Sequence, residues 1–168
     1  GLSSAQTLGH WGSCLRRAGY DILIVEGEAP EWQYLFLGED TAELRPADWL
    51  LGKDTWETED ALKEALGLPG RRSSVACIGP AGEHGVRFAG IFNDKGHLAS
   101  SNGPGTVMGH KKLKAIAIQR LDREVEVADP EELDKARQVW FDDANANTAS
   151  GKSKPSGTRY VGTLGSLN

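Results

Sequence analysis

The sequence predicts an α+β domain in which strands outnumber helices. Three observations carry that prediction. Short β-branched and aromatic runs are stopped by turn residues, two stretches switch to a helical period, and strands and helices do not alternate regularly.

From the N-terminal side, "DILIVEG" (21–27) is a β-branched run stopped by Gly27, and "EAPE" supplies a turn. "WQYLFLG" (32–38) follows as an aromatic-rich strand, and "TAELRPA" (41–47) is the third member of a meander. The period then changes. In "DTWETEDALKEALG" (54–67), Trp56, Ala61, Leu62, Ala65 and Leu66 fall mostly on one helical face. Asp54 or Thr55 is the expected N-cap, acids crowd the first turns and Gly67 stops the helix. "SVACIG" (74–79) reads as a buried strand, "PAGEHG" (80–85) as turns and "VRFAGIFND" (86–94) as a half-buried strand. "LKAIAIQR" (113–120) is a further strand. A second helix is expected over "DPEELDKARQVWFDDANANT" (129–148), with Asp129 as N-cap and Pro130 at its first position. The tail from Ser150 is rich in Gly, Ser and Lys and reads as loop or linker. The expected division is a domain over 1–125 and a helix with a flexible segment over 126–168.

Composition narrows the function. The chain has 168 residues and a net charge of -5, which argues against a general nucleic-acid binder. No apolar run approaches the ~20 residues that span a bilayer, and no basic-then-apolar secretory leader is visible. The chain begins without Met, as a processed protein or a piece of a longer one would. Its two cysteines, Cys14 and Cys77, read as reduced thiols of a cytoplasmic protein. They are too few for an iron–sulfur cluster, which generally takes four thiolates. His10, His84, His97 and His110 never pair at metal-ligand spacing, so no metal ligand is assigned. "ETED" (57–60) reads as a solvated helix face.

The segment "HLASSNGPGTVMGHKKLKAIAIQR" (97–120) combines glycines with cations. It is not a nucleotide P-loop: Gly105 and Gly109 are too close, and His110 precedes Lys111. Nor is it a dinucleotide fingerprint, because Met108 stands where the third glycine belongs and a strand is expected to follow. Two readings stay open. One is a tight turn between strands with solvated lysines; the other is close backbone approach to an anionic ligand.

Three stretches in order, "RRAGYDILIVEGEA", "GKDTWETEDALKEALG" and "VACIGPAGEHGVRFAGIFNDKGHLASSNGPGTVMGHKKLKAIAI", resemble the aldehyde:ferredoxin oxidoreductase family of tungsten enzymes. The resemblance covers most of residues 5–120. It implies part of the family's β-rich α+β N-terminal domain, with mixed sheets and about two helices, incomplete here. That domain is the base for a tungsten (or molybdenum) bis-pyranopterin cofactor whose phosphates are bridged by Mg2+. By this match "AQTLGHWG" corresponds to a cofactor loop, bringing Gln6, Thr7 and Leu8 to one side of the cofactor. Leu98, Ala99, Ser100, Asn102, Gly103 and Gly105 would line the other. The family commonly reads His-Arg-Ala-Ala-Gly-Arg-Gly-Gly where this chain has "HLASSNGP", so Leu98 and Asn102 replace two arginines and backbone contact is expected in place of charge.

The resemblance further implies a fragment of a larger cytoplasmic subunit of anaerobic metabolism, inactive alone and with no catalytic residue assigned here. Its parent reaction would oxidise an aldehyde with water to a carboxylic acid. Electrons would pass through a [4Fe-4S] cluster in the missing part to ferredoxin or an iron–sulfur subunit, within a homo- or hetero-oligomer. A tungsten benzoyl-CoA reductase catalytic subunit is the alternative within the superfamily. A non-catalytic domain that binds a partner subunit is the alternative outside catalysis.

Overall fold

The computed structural model of the chain describes residues 4–149, which fall into two compact units meeting between Val125 and Glu126. In the first, the run "QYLFLG" forms β1 (Gln33–Gly38) and turns at Glu39 and Asp40 into β2 (Thr41–Pro46). Asp40 takes the left-handed conformation (φ 53) that such a tight turn demands. The remaining strands are β3 (Ser73–Cys77), β4 (Ile91–Asn93), β5 (His97–Ala99) and β6 (Leu113–Gln119).

They form one six-stranded sheet in the order β2-β1-β6-β3-β4-β5. Only the β1–β6 pair is parallel, so the sheet is mixed and the fold is α+β. The central strands β3 and β6 are buried on both faces apart from Gln119, as their nearly continuous apolar runs require.

The strand period sorts the core into two layers. Tyr34, Phe36, Val75, Cys77, Ala115 and Ala117 pack with Leu50 and Leu62 on one face. Leu37, Ile116 and Ile118 pack on the other with Cys14, Leu15 and Met108. The first layer is covered by α2 (Thr55–Ala65), whose Asp54 cap accepts from the Trp56 and Glu57 amides while Glu57 reaches back to the Asp54 amide. Helices α1 (Trp11–Arg17) and α4 (Pro104–His110) contribute to the second layer.

Five α-helices are present among the described residues, against the two expected, and three of them are short. "PAGE" is helix α3 (Pro80–Glu83), started by Pro80. The glycine segment, expected as a turn between strands, contains α4: Gly103 in the left-handed conformation (φ 67) redirects the chain and Pro104 opens the helix. "VRFAGIFND" gives only the three residues of β4. "DILIVEG" forms no strand. Its alternation survives, with Leu23 against the core and Ile22 and Ile24 exposed, but no strand among the described residues pairs with it.

The second unit contains α5 (Pro130–Ala149), where the Glu132 amide donates to the Asp129 carboxylate over 3.0 Å, as an N-cap should. The tail from Ser150 lies outside the described residues.

Candidate functional site

Strand β5 is the free edge of the sheet, so one row of its backbone groups has no strand partner. The hairpin joining it to β4 turns through Asp94 and Lys95, both at positive φ (47 and 54). The N-terminal segment docks against this hairpin. Asn93, 1% exposed, donates its side-chain amide to the Leu8 carbonyl at 2.8 Å and accepts from the Thr7 hydroxyl at 2.7 Å. The Asp94 carboxylate accepts from the His10 amide at 2.6 Å and from the Ser74 hydroxyl at 2.7 Å.

Gly9 lies between these partners. Its φ is 99, and a Cβ there would stand 2.6 Å from Asp94 Oδ2 and 2.9 Å from His97. Only glycine fits both the conformation and the space. Burial disfavours the charged form of Asp94, but the hydrogen bonds from Ser74, His10 and Asn93 outweigh it and hold the carboxyl below its ordinary range.

At the other end of β5 the chain turns through Ser101 and Asn102, closed by the Gly103 amide on the Ser100 carbonyl at 3.1 Å. The Ser101 and Asn102 amides have no partner among the described residues, and Asn102 is at φ 65. Most of the sequence-predicted residues therefore lie on one edge hairpin. Thr7 and Leu8 are held at its turn end, with exposed Gln6 just before them, and Leu98, Ala99, Ser100 and Asn102 lie along β5 and the turn that follows. Leu8 and Leu98 are exposed large apolar side chains, at 75% and 40%.

Gly103 and Gly105 are placed differently, being buried against backbone. A Cβ on Gly103 would collide with the Arg87 carbonyl and one on Gly105 with the Gly90 carbonyl. One turn further along α4, a Cβ on Gly109 would collide with the Gly82 carbonyl of α3. These glycines let α4 lie directly on the 82–90 backbone, an i, i+4 seam the sequence spacing carried but did not explain.

A second feature not foreseen from the sequence braces this assembly. Lys114 in β6 has no exposed side-chain surface and is ion-paired with Glu83 of α3. Its ammonium also donates to the carbonyls of Ile78 at 2.7 Å and Lys53 at 3.0 Å, while Glu83 accepts from the Gly52 amide at 3.0 Å. Both residues lie in motifs that carry the family resemblance, "IGPAGE" and "LKAIAI", yet nothing in one sequence pairs them across 31 residues.

Beside His10 and Asp94 opens a cleft of about 470 Å³ whose walls carry Glu59, Asp60, Lys63 and Lys95. Among the described residues no cluster of three or more His, Cys, Asp or Glu is placed to hold a metal ion. Both cysteines are free and buried, and burial pushes the Cys77 thiol up to about 12. No helix among the described residues is long and apolar enough to cross a membrane.

Known proteins match the chain over most of the first unit. The sequence profile of the aldehyde ferredoxin oxidoreductase N-terminal domain matches residues 1–120. The chain is 41% identical over 132 residues to a tungsten-containing aldehyde ferredoxin oxidoreductase of Thermococcus kodakarensis, covering 79% of this chain and 21% of that protein. Its counterpart in Pyrococcus abyssi is 43% identical over 128 residues, covering 76% and 21%. The WOR-like subunit of an aliphatic sulfonate oxidoreductase of Pyrococcus furiosus is 35% identical over 138 residues, covering 75% and 22%. Among solved structures, the active site complex BamBC of benzoyl coenzyme A reductase with 1,5-dienoyl-CoA superposes with a TM-score of 0.82 at 36% identity, covering 86% of this chain and 22% of that one. The chain thus spans about a fifth of the length of the relatives it matches. It belongs to the aldehyde ferredoxin oxidoreductase family, matching that family's N-terminal domain.

Proposed function

We propose that residues 1–125 form part of the cofactor base of a tungsten–pyranopterin oxidoreductase subunit, most simply one that oxidises aldehydes to acids. The supporting observation is that Asn93 and Asp94 dock Thr7, Leu8 and His10 on the same edge hairpin that carries Leu98–Asn102. A flat heterocycle with polar edges suits a surface of small side chains and free backbone groups. Ser100 and Ser101, the edge of β5 and the unpaired Ser101 and Asn102 amides supply one. When bound, such a cofactor supplies two-electron redox chemistry at its metal.

The chain's own residues position and shield. Asn93 fixes the Thr7–Leu8 backbone, Gly9 lets it pass close to His97, and Leu8 and Leu98 offer apolar cover. Gly103 and Gly105 set the turn from behind. The residues present do not fit a [4Fe-4S] cluster, for which two buried cysteines are insufficient. Cluster ligands, Mg2+ contacts and the route to ferredoxin or an electron-transfer subunit are assigned to the rest of the subunit and its partners, in the cytoplasm.

Tungsten, molybdenum and iron analysis with pterin fluorescence on the intact subunit tests this reading, with intact mass measured alongside. Tungsten with pterin in a polypeptide much larger than 18.1 kDa is expected. A folded 18.1 kDa protein without metal or pterin would overturn it. The benzoyl-CoA reductase structure at a TM-score of 0.82 favours a second reading, a reductase of aromatic CoA thioesters. Turnover of an aldehyde against benzoyl-CoA by the intact subunit separates the two.

A further inference from the structure

The paired arginines of this chain make another group stand out. Arg16, Arg45, Arg123 and Arg137 each meet a carboxylate. Arg71, Arg72 and Arg120 do not, although they share one cleft of about 460 Å³ where β3 begins and β6 ends. Among the described residues, none of these three guanidinium groups has a hydrogen-bond or ion-pair partner. The cleft has an apolar floor, Leu68 and Leu121, each 7% exposed. Asp122 is the one acid on its wall.

The positions are fixed by backbone and not by chance side-chain placement. The Arg120 amide donates to the Arg72 carbonyl at 2.9 Å, directly beyond the Ser73–Gln119 pair of the β3–β6 ladder. The Arg71 and Arg72 backbone is set by the short helical turn Gly70–Arg72. Three exposed cations lining one cleft of a chain with net charge -5 make a local patch of positive potential that draws an anion. Guanidinium forks match phosphate oxygens bidentately, and the apolar floor would accept a carbon skeleton attached to the phosphate.

We propose that this cleft binds a phosphorylated small molecule, its phosphate held by Arg71, Arg72 and Arg120 and its apolar part on Leu68 and Leu121. The assignment is independent of the cofactor reading, because it uses neither the β5 edge nor the residues matched to cofactor loops.

The test is an amide-shift titration of the complete chain with inorganic phosphate and, separately, phenyl phosphate, each at constant ionic strength. Saturable shifts at Arg72, Gln119, Arg120 and Leu121 are expected, weakened about tenfold or more in the R72Q/R120Q double variant, which removes two charge-assisted contacts. Both substitutions are at exposed positions, and an unchanged dispersion of the remaining amide signals certifies the fold. Tighter binding of phenyl phosphate assigns an organic phosphate. Equal binding assigns free phosphate as the ligand and overturns the apolar part of the proposal. Shifts no larger than those from added chloride, or equal affinity in the double variant, overturn all of it. So does absence of binding with R72Q/R120Q instead releasing a partner from the intact subunit, which would assign the arginines to a protein contact.

Discussion

Lys114 and Glu83 form an ion pair with almost no solvent contact, the lysine side chain 0% and the glutamate 7% exposed. Around them the Ile78 and Lys53 carbonyls and the Gly52 amide complete the hydrogen bonding. One pair thereby ties β6, the end of β3, helix α3 and the loop before α2. Desolvating two charges is costly, and the cost is offset only while every partner stays in place.

Removing one partner should therefore be severe. Glu83→Gln or Lys114→Met is expected to cost on the order of 3–5 kcal/mol, because the other charge stays buried and uncompensated. In urea denaturation the Glu83→Gln/Lys114→Met double variant should lose less than the sum of the singles. Strict additivity would show that the two residues act separately.

Gly105 and Gly109 face backbone, so the smallest side chain is already too large there. Gly105→Ala and Gly109→Ala should each destabilise by about 1–3 kcal/mol or more, through overpacking. Gly12 is the contrast: it lies in α1 at ordinary φ, and an added methyl would meet nothing within 4 Å. Gly12→Ala should stabilise by about 0.5–1 kcal/mol. Thermal melts of the three variants check both signs, and a neutral Gly105→Ala would refute the seam.

Asp94 makes stability depend on acidity. Its carboxyl is half-buried, which raises its pKa, but the bonds from Ser74, His10 and Asn93 lower it further than burial raises it. A depressed folded value means the charged form favours the native state. That contribution is fully present above the ordinary carboxyl range, about 3.9, and is lost as pH falls through the lowered folded value. Asp94→Asn should flatten the acid limb of a stability-against-pH curve and, by replacing a charged acceptor with a neutral one, weaken the His10 amide bond, seen as faster hydrogen exchange at His10. An unchanged acid limb would count against it.

Both thiols should be inert in the native state. Burial raises the Cys14 thiol above its ordinary value and takes Cys77 to about 12, so neither is a thiolate at neutral pH. A thiol reagent at pH 8 should label neither until denaturant is added, and then both. Rapid native labelling would show that the segment covering Cys14 opens.

Much of the architecture was legible in order along the chain. β1, β2, β3, β6, the capped α2 and the capped α5 each follow from a local signal: an apolar run of strand length, or a helical period behind an aspartate. The local signal failed where long-range contacts decide. "DILIVEG" has strand composition but no strand beside it among the described residues. The glycine segment turned out to hold a helix because the backbone of 82–90 lies against Gly105 and Gly109, a fact that spacing alone does not contain.

The candidate site divides the same way. The sequence alone drew attention to the glycine segment and excluded nucleotide loops by spacing; the family resemblance it carries singled out Gln6–Leu8 and Leu98–Gly105. Tertiary structure decided that both stretches reach the same hairpin, because a 1% exposed Asn93 binds Leu8 and Asp94 binds His10 across 85 and 84 residues of chain. It also separated outward-facing Leu98 and Asn102 from inward-facing Gly103 and Gly105 and brought Lys114 to Glu83. Those pairings are made by sheet register and burial, which are properties of strands brought together and not of any one of them.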